Sequence, residues 1–247
     1  MAKIAENIEV LELKRPFGGL LNLTVVHDSD SVVLVDTGLP GQYEDVMGLI
    51  RQAGIAADGP SSIILTHQDI DHIGSLPSFL TVYGLPVDVY AHEADKPVID
   101  GNEPFLKVPA ERLASILGQL PEEQRRQFEM IFSAASPPNV DRLLSDGETL
   151  PFGGGLTVIH TPGHTPGHIS LYHAASQTLI AGDAMTVHEG ELRGPNPDFT
   201  PDMPLAIRSL GKFSKYDIRT VICYHGGVYT LNPNERIAEL ASQRSED

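Results

Sequence analysis

The chain has one cysteine, few cations and no long apolar run, and each scarcity removes a class of protein. Cys223 alone cannot form an internal disulfide; it lies inside the apolar run "TVICY", where a small buried residue suits a strand. Lys and Arg number 17 against 33 Asp and Glu, a formal net charge of -16 over 247 residues. Such a surface gains nothing from phosphate contacts, so neither nucleic acid nor an anionic membrane is expected as a partner. No stretch of about 18 apolar residues occurs, which excludes a spanning helix. The N-terminal "MAKIAENIEVLELKRPFGG" mixes charges where a signal peptide would need an apolar core, so a cytoplasmic protein is expected. Two catalytic signatures are missing as well. There is no G-x-S-x-G nucleophile elbow, and "FGGGL" lacks the lysine and following helix of a phosphate loop.

What is present has the length of one large domain, residues 1–247. "LNLTVVHD" and "SVVLVDTG" are β-branched runs joined by the polar "SD", a hairpin pattern ending at Asp36. "GQYEDVMGLIRQAG" puts Val46, Leu49, Ile50 and Ala53 on one helical face, and the short strand "IILT" follows. The second half repeats the plan with strands in "GGLTVIHT", "ISLYHA", "QTLIAGDAM" and "RTVICYH" and a helix in "DMPLAIRSLGKF". Two β-rich halves, each closing on a strand and then a histidine, predict an α/β fold in which two sheets form a sandwich flanked by helices. Residues 94–140 interrupt the plan. There "PAERLASILGQL" aligns Leu113, Ile116, Leu117 and Leu120, and "PEEQRRQF" opens a second helix with Pro121 in its first turn. This helical insert is read either as a cap over a substrate or as a packing or dimer contact.

The densest chemistry is "THQDIDHIG", with His67, Asp69, Asp71 and His72 crowded behind the strand "SSIIL". Imidazole and carboxylate donors must be held at about 2 Å from a metal, and a loop at a strand end can aim several at one point. His67 and Asp69 point to one side of an extended stretch, and Asp71 and His72 can turn to a second point. Such a segment can feed two cations about 3.5 to 4 Å apart, the spacing of two-metal hydrolases. Further donors follow apolar runs and adjoin glycine: His164 in "HTPGHTPGH", Asp183 in "IAGDAM" and His225 in "CYHGG".

"VDTG", "THQDIDHIG", "HTPGHTPGH", "AGDAM" and "YHGG", in that order, resemble the metallo-β-lactamase superfamily over nearly the whole chain outside the insert. The resemblance implies an αββα sandwich with a dinuclear metal site at one edge. By the same resemblance His67, Asp69 and His164 would hold one metal and Asp71, His72 and His225 the other, with Asp183 bridging. Asp36 would orient a metal-bound histidine. His168 is read either as a similar support or as a core histidine, and His27, His92, His160, His173 and His188 as structural or exposed.

The usual family motif is His-x-His-x-Asp-His, and Asp69 stands where the second histidine would be. In a formal count, two divalent ions, three aspartates and one bridging hydroxide leave the centre neutral, against one positive charge for the usual motif. A harder donor set suits iron or manganese better than histidine would; zinc is expected first, with manganese or iron as alternatives. A carboxylate here also resembles the diiron flavoproteins of the superfamily, which carry glutamate at this position. Two bridged ions favour water attack on an ester, lactone, thioester or amide of a small molecule, with Asp71 or Asp183 orienting the nucleophile and moving the proton.

The motifs look most like the acyl-homoserine lactonases, with glyoxalase II as the next relative, although Thr186 stands where those lactonases carry a tyrosine. With Thr186, the insert residues Phe105, Phe128 and Phe132 are the candidate substrate contacts; ordinary core is the other reading of the three rings. The expectation is therefore a dinuclear metal-dependent hydrolase, monomer or homodimer. An iron oxidoreductase on the same fold is one alternative, and a ligand-binding protein with an impaired site is another.

Overall fold

Alternation along each strand decides how the layers stack. The computed structural model describes residues 1–16, 18–55, 59–82 and 86–243. Its first sheet runs in chain order through β1 (Ala2–Ala5), β2 (Ile8–Lys14), β3 (Leu20–His27), β4 (Val32–Val35), β5 (Ser62–Ile64), β6 (Asp88–His92) and β7 (Arg142–Leu144). The second sheet is built from β8 (Thr149–Leu150), β9 (Leu156–His160), β10 (Ile169–His173) and β11 (Thr178–Gly182), followed, after the small ribbon of β12 (Thr186–His188) and β13 (Glu191–Arg193), by β14 (Thr220–Cys223) and β15 (Gly227–Tyr229).

Because side chains of a strand point alternately to opposite faces, each sheet presents two apolar surfaces. Ile8, Val10, Val33, Val35 and Ile64 of the first sheet meet Val158, Ile169, Leu171, Ile180 and Ile222 of the second in a central core. The intervening residues Leu11, Leu13, Leu34 and Ile63 face outward against α1 (Tyr43–Gln52) and the segment holding α2 (Ile70–Ile73) and α3 (Leu76–Thr81), through Val46, Ile50, Ile73 and Phe79. Between β6 and β7 lie α4 (Lys96–Ile99), α5 (Ala110–Leu117) and α6 (Glu122–Ile131). On the far side Leu179, Ala181, Val221 and Cys223 pack under α7 (Met203–Leu210) and α8 (Pro233–Ser242) through Ile207, Leu210, Ile237 and Leu240. The result is a mixed α/β sandwich with helices on both outer faces, the layering that the resemblance implies. Burial among these side chains pushes the Cys223 thiol up, away from thiolate chemistry.

The described elements go beyond the sequence expectation. β1, β2 and β6 are strands it does not contain, as is the C-terminal helix α8; Glu9, Glu12 and Lys14 interleave with the apolar residues of β2 and blur its alternation. Pro109 and Pro121 stand at the N-caps of α5 and α6, just outside the first helical residue, where a missing N–H costs nothing. The ribbon of β12 and β13 was likewise not anticipated. Among the described residues no helix is long and apolar enough to cross a membrane.

The first sheet is antiparallel up to β4 and parallel from β4 through β7, and β11 runs parallel to β14 in the second. In open α/β sheets ligands gather beyond the carboxyl ends of parallel strands. Here β4 delivers Asp36, β5 the 66–72 loop, β11 Asp183 and β14 His225, all at one edge of the sandwich.

Candidate metal centre

Seven side chains converge at that edge. Among the described residues, the ligand atoms of His67, Asp69, His164 and Asp183 form one group, and those of Asp71, His72 and His225 a second; within each group all lie within 4.8 Å of one another. Asp183 reaches both groups: its Oδ2 is 3.4 Å from His164 Nε2 and 3.3 Å from His225 Nε2, and its Oδ1 is 3.5 Å from His72 Nε2. The second group closes through His225 Nε2, 3.3 Å from Asp71 Oδ2.

Two glycines make the approach feasible. Gly182, at φ +56°, precedes Asp183, and a Cβ there would come within 2.8 Å of the His168 ring. Gly226, at φ +95°, follows His225; a Cβ would overlap the Val187 carbonyl oxygen at 1.8 Å, because Val187 N–H donates to the His225 carbonyl and brings the ribbon alongside. Only glycine meets both demands of space and left-handed backbone.

Hydrogen bonds set the tautomers of three of the four histidines. Asp36, buried and itself at φ +63°, accepts from Thr66 N–H at 2.8 Å, from the Thr66 hydroxyl at 2.8 Å and from His72 Nδ1 at 2.9 Å. Having given its proton to Asp36, the Thr66 hydroxyl accepts from His67 Nδ1 at 2.9 Å. The Thr200 hydroxyl donates to the Asn196 carbonyl at 2.7 Å and accepts from His164 Nδ1 at 3.2 Å. In each case Nδ1 carries a proton and Nε2 is the nitrogen turned toward the centre, the one a metal ion would take. Three buried atoms there, His67 Nε2, His72 Nε2 and Asp183 Oδ1, have no hydrogen-bond partner. An unpaired buried polar atom costs about 1 to 3 kcal/mol, and a cation would satisfy all three. The donor set therefore fits two metal ions, one per group.

Charge follows the same design. Burial alone would raise Asp183, but His225 and His72 hold it well below the usual carboxylate range. Against a burial effect of opposite sign, Asp36 and Asp183 push His72 well above the ordinary imidazole value, and Asp183 and Asp71 push His225 up to about 10. Asp69, which burial would raise, is held well down by His67, His164 and Lys107.

His168 is a support and not a donor to the centre. Its Nε2 accepts the Asp183 backbone N–H at 3.0 Å and its Nδ1 donates to Thr161 at 2.8 Å, while burial, with His67 nearby, keeps the ring neutral by holding it well below its usual value. Phe105, Phe128 and Phe132 turn toward one another, with centroid separations of 4.6 to 6.1 Å, and pack with Leu117 around Ile70. That cluster clamps the insert to the motif loop. Thr186 opens the ribbon, half-buried and paired with Arg193. Elsewhere, His92 and His160 stack on each other at 3.9 Å, and His188 is exposed.

The sequence expectation missed several residues. Asp95, fully buried, accepts from Gln68 N–H, the Gln68 side chain, the Thr165 hydroxyl and Gly167 N–H, joining the start of the insert to both histidine loops. Tyr224 covers His72, with ring centroids 3.8 Å apart, and donates to the Asp71 carbonyl. Lys107 is the least expected. Its ammonium donates to Asp69 Oδ2 at 2.6 Å and to His164 Nε2 at 2.8 Å. The one local signal for a balancing cation was the extra carboxylate at position 69.

Comparison with known proteins agrees with this geometry. The model of the metallo-beta-lactamase superfamily matches residues 18–225. The probable metallo-hydrolase YflN of Bacillus subtilis (strain 168) is 31% identical over 227 residues, covering 87% of this chain and 83% of that protein. The metallo-beta-lactamase family protein TTHA1429 of Thermus thermophilus has a crystal structure similar at TM-score 0.69 and 26% identity, over 97% of this chain and 80% of that one. A structure of TTHA1623 in a di-iron-bound form is similar at TM-score 0.64 and 25% identity, over 93% of this chain and 98% of that one.

Proposed function

Because the chain belongs to the metallo-β-lactamase superfamily, we propose that it is a metal-dependent hydrolase cleaving a small, largely neutral ester or lactone, with thioesters and amides as further substrates of the same chemistry. The observation that carries this reading is the convergence of seven donors into two groups sharing Asp183, with unpaired Nε2 atoms aimed between them. Divalent ions bound there supply an acidified water as nucleophile and polarise the substrate carbonyl. In this reading His67, Asp69 and His164 would hold one ion and Asp71, His72 and His225 the other, with Asp183 within reach of both groups. Asp71, whose side chain is 22% exposed against 8% for Asp183, faces solvent and passes the proton to the leaving oxygen. Asp36 and His168 hold His72 and Asp183 in place, and Thr186 is the proposed substrate contact, Phe105, Phe128 and Phe132 being engaged with one another around Ile70.

Zinc is the proposed ion, with manganese or iron the alternatives that a carboxylate at position 69 favours. The same proposal has one domain over residues 1–247, a cytoplasmic location, and a monomer or homodimer acting on a small molecule. The carboxylate and the likeness to a protein with a di-iron form also favour a second reading, an iron oxidoreductase. The test is turnover of a lactone, ester and thioester panel by chelator-treated protein before and after each metal is restored. Metal-dependent hydrolysis that disappears in Asp183→Ala is the expected result. Absence of turnover on the whole panel, together with iron whose absorbance changes on reduction, would put the second reading first.

A further inference from the structure

His164 Nε2 and Asp69 Oδ2 lie 3.0 Å apart. Nδ1 of His164 donates to Thr200, and Nε2 faces the Lys107 ammonium, which can only donate; Nε2 is therefore an acceptor, and two acceptors at that distance repel unless a cation sits against both. Lys107 provides that cation, 2.6 Å from one and 2.8 Å from the other, with its side chain 11% exposed. An imidazole nitrogen has a single lone pair in the plane of its ring. Lys107 and a metal ion therefore cannot both hold His164.

The lysine is brought there by the residues of the histidine motif that are not donors. Gln68 accepts the Leu106 N–H at 3.3 Å, and Ile70 packs against Phe128 and Leu117 with Phe105 and Val108 alongside. Gln68 is in turn held by Asp95. The insert is thus registered on the loop that carries Asp69, and Lys107 stands opposite it. In formal charge, one divalent ion and one ammonium balance Asp69, Asp71 and Asp183 without a second metal.

We propose that Lys107 is a built-in cation of the first subsite, competing with a metal for His164 and Asp69. The chain then keeps one divalent ion firmly at Asp71, His72, His225 and Asp183, and a second ion enters only when the lysine swings out. This concerns ion loading and stands or falls independently of which bond is cleaved. The experiment is calorimetric titration of chelator-treated wild type, Lys107→Met and Lys107→Ala with Zn²⁺ or Mn²⁺, with elemental analysis after desalting and circular dichroism to confirm the fold.

Wild type is expected to retain one ion per chain and to bind the second at least about tenfold more weakly. Both variants should retain two, with the second Kd lowered at least about tenfold and the first little changed. Labelling of wild-type lysines with an amine-reactive reagent, read by peptide mass spectrometry, needs no variant: Lys107 should be protected at one ion per chain and modified once the second is bound. Two equally tight ions in wild type and in the variants would overturn the proposal, as would Lys107 labelling indifferent to loading or variants that still retain a single ion.

Discussion

The two halves of the metal centre share one loop and one carboxylate, yet they face different surroundings. In the first, the His67 and His164 side chains are 0% and 2% exposed and the insert reaches in with Lys107. In the second, Asp71 and His225 are 22% and 28% exposed. The insert reaches the closed half, whereas the open half is built from the helical turn α2, with His72 held by Asp36, and from His225 at the end of β14. Chemistry that needs solvent and an arriving substrate belongs at the open half, while the closed half sets charge.

Substitutions can break or sharpen that contrast. Asp183→Ala removes the one group common to both halves and should have the largest effect, the loss of at least one ion and at least about a hundredfold in kcat/KM, read by elemental analysis and steady-state kinetics. Asp36→Ala should come next. Asp36 orients His72 directly and His67 through Thr66, so both ions should weaken by about 10- to 100-fold in a metal titration. An effect confined to one ion would break the Thr66 relay.

The pH response should isolate the open half. Its carboxylates hold His225 protonated up to about 10, and an ion must displace that proton. His72 is held protonated in the same way, so affinity of chelator-treated protein for the ion at this half should rise with pH by roughly tenfold per unit for each proton displaced, the His225 part levelling off above about 10. Calorimetry in buffers of different ionisation enthalpy would count the protons released. Thr200→Val should have the smallest effect and touch only the closed half. It removes the acceptor for His164 Nδ1, a hydrogen bond of about 1 kcal/mol or roughly fivefold in affinity, and should leave the open half unchanged.

The strand-end donors were legible because their signals are local. A β-branched run followed by His or Asp and a glycine announces a strand, its end and a close backbone approach within a few residues, as in "IAGDAM" and "CYHGG". The layers were legible for the same reason, since β4, β10, β11 and β14 are largely apolar runs, buried on both faces, that no acidic residue or lysine interrupts. β2 escaped notice because charged residues on a half-exposed strand obscure its period. The three phenylalanines were legible as an apolar group, but whether they faced a ligand or Ile70 depended on how the insert docks.

By itself, the amino-acid sequence determined which atoms could bind metal, that they stand at strand ends, and that Asp69 makes the first subsite anionic; side-chain chemistry and short-range periodicity carry all of that. Only the tertiary structure decided what answers that anion. A lysine 38 residues along the chain from Asp69, in a segment with no period linking it to the motif, carries no local sign of its destination. It arrives because Ile70 is buried under Phe128 and Leu117 and because Gln68 and Asp95 pin the loops. Apolar burial of that kind has no direction of its own, so the placement emerges only once all the surfaces have packed.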